Sequence, residues 1–207
     1  MKITSSGKSL FSSHPDTNTF LDISTNFLQN NGSSLRLYNY HNRFGYYIYE
    51  SKTLEISRPE KFKKSKKTWL DLYVHEYCHF LQQYYETPIY KAYWEPLKYI
   101  ISTEKEMKTK DPKIIRKHLK AIRKMETECC KMSIGLIKFY KLPINIKMSA
   151  KVSNAYIFYH HLVEENNTWK SKNFYTKGIL DQMPTRIRSD YADNIPERYH
   201  QILTRCF

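Results

Sequence analysis

The chain has 207 residues, 41% of them hydrophobic, and 34 Lys and Arg against 20 Asp and Glu give it a formal net charge of +14. That length supports one substantial core and leaves little room for two full domains. The charge favours polyanionic partners such as nucleic acid, acidic proteins or anionic membranes, a solvated basic face being the plain alternative, and it carries no information about fold.

The start, Met1 to Leu10, is polar and lacks the apolar core of a signal peptide, and no stretch approaches the roughly 18 uninterrupted apolar residues of a membrane span. Cys78, Cys129, Cys130 and Cys206 do not form a secreted disulfide framework, so reduced thiols in a cytoplasm are expected. Residues 1–34, rich in Ser, Thr and Asn with Gly7, Pro15 and Gly32, read as an irregular lead-in to a single domain over 35–207. From Ser34 to Ser57 the pattern turns extended: Leu35 and Leu37, then Tyr46 to Tyr49, a polar Glu50-Ser51-Lys52 turn, and Leu54 to Ile56 predict a hairpin. Pro59 and the basic run Lys61 to Lys67 follow, read as a solvated cover in preference to a phosphate site.

A helix is predicted from Thr68, as N-cap, to Tyr85, its end marked by Thr87-Pro88, and a second from Trp94 to Met107. Asp111-Pro112 opens a third that runs to Tyr140 before Pro143, and a fourth covers Ser149 to Asn166. The tail from Trp169 gives only weak signals.

The chemistry concentrates in His75-Glu76-Tyr77-Cys78-His79. Two histidines four apart project from one helical face and reach one metal ion, the geometry zinc accepts. Glu76 points about 100° around the helix, where a carboxylate avoids the metal yet takes a proton from a water beside it. The plain alternative is an amphipathic helix with two polar histidines and a surface glutamate.

A catalytic zinc usually has three protein ligands. On the third helix Ile115, Ile122, Met125, Cys129, Leu136 and Tyr140 define the buried stripe, with Glu126 about 60° from its centre and Glu128 about 100° away on the other side. Glu126 is therefore the expected third ligand and Glu128 its competitor; two solvated glutamates are the plain alternative. Cys129 and Cys130 are candidate soft zinc ligands, but neighbouring helical residues diverge by about 100° and make a poor chelate, so buried free thiols are the expectation. For a group that stabilises a developing oxyanion, the fourth helix offers Tyr156, Tyr159, His160 and His161, with Tyr156 chosen first. A strand edge of the tyrosine-rich hairpin could hold a peptide by β-augmentation.

The run Leu70-Asp71-Leu72-Tyr73-Val74-His75-Glu76-Tyr77-Cys78-His79-Phe80-Leu81-Gln82-Gln83 resembles the zincin-type metallopeptidases encoded by bacteriophages. Met125 to Lys131, Tyr140 to Ile144 and Ser153 to Tyr159 extend the resemblance over roughly residues 44–170. It implies a gluzincin-like site with Glu126 as the third ligand and a host-cell cytoplasmic setting. It departs at Cys130, where the family pattern carries an acidic residue.

The expectation is thus an α+β, zincin-like fold: a small sheet or hairpin packed against a mainly helical body that carries the His-Glu-x-x-His helix. The expected activity is zinc-dependent hydrolysis of peptide bonds in a protein or peptide substrate, with Zn2+ on His75, His79 and Glu126, Glu76 as general base and Tyr156 assisting. The competing expectation is a non-catalytic protein on the same scaffold that binds nucleic acid or a host factor through its basic surface; a third joins the two as a peptidase recruited to DNA-bound proteins.

Overall fold

The computed structural model describes residues 15–39, 45–59, 66–97, 111–168 and 175–205. Over these the chain is an α+β fold, mostly helical with one three-stranded sheet. The elements are α1 (Pro15–Asn30), β1 (Ser34–Tyr38), β2 (Gly45–Ile48), β3 (Thr53–Ser57), α2 (Lys66–Tyr84), α3 (Pro88–Leu97), α4 (Pro112–Phe139), α5 (Ile146–Asn166), α6 (Lys177–Leu180) and α7 (Glu197–Thr204), with a 3-10 turn at Ser189–Ala192. They form two compact units: residues 1–86 with 132–145, and residues 87–131 with 146–207. No helix among the described residues is long and apolar enough to cross a membrane.

In the first unit β3 is the central strand, antiparallel to β2 and parallel to β1. The predicted hairpin is therefore present, with its turn at Tyr49 to Lys52. Every residue of β3 is buried. Its one carboxylate, Glu55, accepts from Arg36 across the β1 register at 3.2 Å, which offsets the cost of burying charge. The core gathers Phe20, Leu28, Leu54, Ile56, Trp69, Leu70, Tyr73, Val74 and Phe80. Trp69 donates Nε1–H to the Ser57 carbonyl at 2.7 Å, tying α2 to the end of β3. At Gly45 an added Cβ would stand 2.7 Å from Leu72 Cγ, so β2 lies so close to α2 that a side chain here would force Leu72 or the strand to shift.

The irregular lead-in expected over residues 1–34 is corrected at 15–30, which form α1. Its buried residues include Thr17, Ser24 and Thr25 beside Phe20, Leu21 and Leu28. Ser24 and Thr25 hydrogen-bond the buried Tyr73 hydroxyl at 2.9 and 3.1 Å, and burial raises that phenol's pKa. The helix ends in a Schellman motif: Gly32, at φ 75°, bonds back to Gln29, and the Ser33 amide reaches Leu28. The helix α2 begins two residues before Thr68, so Thr68 lies inside it and does not cap it. Lys66 and Lys67 of the basic run open that helix, and the residues of the run before them lie outside those described.

In the second unit Thr87-Pro88, expected as the marker of a helix end, starts a helix. Thr87 Oγ1 accepts the Tyr90 amide at 3.2 Å and Pro88 occupies the first turn, so α3 begins six residues before Trp94. The remainder of the helix expected to Met107 lies outside the described residues. Asp111 caps α4 as expected, accepting the Lys113 amide at 2.8 Å. The far end of α4 belongs to the first unit, and its stop owes more to Lys141 than to Pro143: Lys141 adopts φ 48° and Leu142 N bonds to Ile137 O, the same terminating pattern as Gly32. The weakly signalled tail supplies α6, the 3-10 turn and α7, whose Ile179, Met183, Tyr191 and Leu203 pack on Ala155, Ile157, Phe158 and Leu162 of α5.

Arg123 is buried here, donating to the Ala192 and His160 carbonyls at 3.0 and 3.3 Å and pairing with Glu164 at 2.7 Å. Beside it His161 donates Nε2–H to the Tyr191 carbonyl at 2.8 Å. Burial, then the Arg123 charge, pushes the His161 pKa down to about 4, and burial does the same to His160. Both imidazoles are neutral when folded, while the unfolded chain binds their protons near pH 6.5. Their stabilisation is complete above that value and is lost as pH falls towards 4. Thermal melts of chelator-treated protein should show a falling Tm already between pH 6.5 and 5, before most carboxylates titrate, and His161→Gln should flatten that slope. A wild-type Tm constant across the window would rule out the buried neutral pair.

Candidate metal centre

The His-Glu-x-x-His segment occupies the middle of α2, where Val74, Cys78 and Leu81 are buried on its flanks and hold the helix in register. His75 is half-buried and His79 buried. Their rings stand one turn apart, 4.9 Å between centroids and perpendicular at 89°, and their ligand nitrogens lie within 4.8 Å of each other. Glu76 is only 6% exposed, so its carboxylate is not a solvated surface charge.

The geometry around His79 fixes its tautomer. Gln82 Oε1 and the Tyr49 hydroxyl oxygen both stand 2.9 Å from His79 Nδ1. An amide oxygen only accepts, so the Gln82 contact is made with Nδ1 carrying the hydrogen, and Nε2 is the ring nitrogen directed away from it. This is the arrangement in which a partner on one ring nitrogen orients and enriches the other as a metal ligand. Gln82 is one turn beyond His79 on α2 and fully buried, whereas Tyr49 follows β2. The next residue, Gln83, completes the attachment: its Nε2 donates to the Tyr49 carbonyl at 3.1 Å, and its Oε1 accepts from the Tyr47 hydroxyl at 2.7 Å. The hairpin therefore sets where Tyr49 meets the histidine.

Comparison with protein-family models, with curated proteins and with solved structures found no match.

The remaining expected residues belong to the second unit. Glu126 is half-buried on α4, with a carboxylate oxygen within 4.8 Å of Cys130 Sγ one turn on. Its competitor Glu128 accepts a 2.6 Å hydrogen bond from the Thr87 hydroxyl, which commits that carboxylate to the start of α3. Tyr156 is half-buried on α5, its ring edge-on to His160 at 4.4 Å, while its carbonyl accepts from His160 Nδ1. Cys129 and Cys130 are buried thiols, as expected; Cys78 of the first unit is buried too, and Cys206 lies outside the described residues. The structure thus brings His75, Glu76 and His79 together on one helix and sets Glu126 beside Cys130.

Two residues of these surroundings, Gln82 and Tyr49, are not singled out in the sequence analysis. Gln82 is visible in the sequence as the side chain one turn after His79. Tyr49 has no local signal, since its role depends on β2 packing against α2. Gln82→Leu, which keeps the volume and removes the acceptor, should weaken zinc binding about 10- to 100-fold in a chelator competition, and Gln82→Glu should restore it. Equal affinity in wild type and Gln82→Leu would remove Gln82 from the site.

Proposed function

We propose that the chain is a zinc-dependent metallopeptidase with a zincin-like, gluzincin-like arrangement. The observation that supports it most is the His75 and His79 pair, one turn apart on α2 with ligand nitrogens within 4.8 Å of each other. Two neutral imidazoles suit zinc, and Glu126 is the proposed third ligand, favoured over Glu128 because the Thr87 hydroxyl already engages Glu128. Zinc in such a site acidifies a water and polarises a carbonyl. With the metal bound, Glu76 would be the group that accepts a proton from the attacking water and hands it to the departing amine. Tyr156 is the proposed donor to the oxyanion. Proteins and peptides are the substrate class.

Metal analysis tests the ligand set. Protein purified without chelator should carry about one zinc per chain, Glu126→Ala should lose it, and Glu128→Ala should keep it. Wild type without zinc would remove the basis of the reading, and loss in Glu128→Ala alone would transfer the third ligand to Glu128.

A further inference from the structure

One face of α4 within the second unit is a row of cations. At about 100° per residue, Lys113, Lys117, Lys120, Lys124 and Lys131 fall within an arc of about 60°, with Arg116 about 40° beyond its edge. The row is about 27 Å long. Lys113, Arg116, Lys117, Lys120 and Lys131 are exposed. Among the described residues, three carboxylates from neighbouring segments reach the row: Asp193 pairs with Lys124 and stands 3.8 Å from Lys120, Glu164 meets Arg116 at 3.2 Å, and Asp190, itself paired with Arg188, lies near Lys131, which donates to the Ser189 hydroxyl. Asp111, at the helix start, engages the Lys113 amide, and Glu128, at the rim, accepts from Thr87. Six cations against these acids leave the face positive, most of all at Lys113 and Lys117.

We propose that this face docks on the sugar-phosphate backbone of duplex DNA. Its length runs beside about 16 phosphate charges of a duplex that carries one per 1.7 Å. A helix about 10–12 Å across, with lysines spread over its outer face, reaches phosphates on both rims of a B-form groove about 12 Å wide. The A-form major groove of duplex RNA is too deep and narrow for the same fit. The exposed positions of the face from 112 to 131 are one proline and five cations. They offer no aromatic platform for single-strand stacking and no large apolar residue for a lipid surface. The contact is made by phosphate charge and is independent of sequence. This surface stands apart from the peptidase reading and does not rest on it.

The test measures fluorescence anisotropy of a labelled 20-bp DNA duplex against the full chain over a range of NaCl concentrations. The triple variant Lys113→Gln, Lys117→Gln, Lys120→Gln is compared with Lys147→Gln, Lys177→Gln, Arg186→Gln, which removes the same charge from exposed positions elsewhere in the second unit. The first should weaken binding at least about tenfold at 0.1 M salt and reduce the slope of log K against log salt by about 0.9 for each phosphate no longer neutralised. The second should change the slope little. Circular dichroism checks folding, and the double variant Lys113→Gln, Lys117→Gln repeats the measurement with the Lys120 and Asp193 pair intact. Equal weakening in both triples, or none in the first, would overturn the proposal. Tighter binding to a 20-bp RNA duplex, a 20-nucleotide single strand or phosphatidylserine vesicles than to the DNA duplex would overturn the assignment of DNA.

Discussion

Glu76→Gln should bind zinc as wild type does and lose peptide cleavage by about 10²- to 10⁴-fold, the contribution typical of a positioned general base. The side chain keeps its length and its buried place in α2, so neither the His75 and His79 spacing nor the folding of the helix is disturbed. What disappears is the capacity to receive a proton, because an amide oxygen is far less basic than a carboxylate. Mapping of new peptide termini in a proteome incubated with wild type or variant, alongside metal analysis of both, gives the result whatever the substrate is. Undiminished cleavage by Glu76→Gln would assign the base to another residue. Loss of zinc together with cleavage would mean that Glu76 supports the metal.

His79→Ala should reduce bound zinc from about one per chain to almost none, since the proposed centre has three protein ligands and a two-ligand remnant holds zinc weakly. This substitution carries a second effect. Gln82, fully buried, would lose its hydrogen bond to the ring, and one lost hydrogen bond costs about 0.5–1.5 kcal/mol. A lower Tm in the metal-free variant is therefore expected, and by itself says nothing about zinc. His75→Ala separates the two. His75 is half-buried, so its removal should abolish metal binding with a smaller fall in metal-free Tm. Zinc retained at full stoichiometry in both variants would place the ion elsewhere.

The fold is legible in the sequence where one residue pattern has one physical solution. Asp111-Pro112 is a helix start under any packing, and the Tyr46 to Ile56 alternation around a polar turn is a hairpin. The histidines four apart need only a helix to share a face. The helix α1 is not legible because its inward positions include Thr17, Ser24 and Thr25, which look like loop residues until Tyr73 supplies partners for two of them. Helix propensity is a weak signal that tertiary contacts override. Thr87-Pro88 is ambiguous because a Thr-Pro pair suits both the end of one helix and the start of the next, and only the Tyr90 amide distinguishes them. Likewise, ranking Glu126 and Glu128 by angle leaves out Thr87, which lies 41 residues from Glu128 along the chain.

Gly45 has a reach longer than its size suggests. Because no Cβ stands between β2 and Leu72, the strand lies flush on α2, and the residue that follows its end delivers the Tyr49 oxygen to His79. A methyl group at position 45 would act as a shim under the hairpin, lifting it off α2 unless Leu72 yields. The imidazole would then lose one of its two anchors through a change in a residue that never touches it.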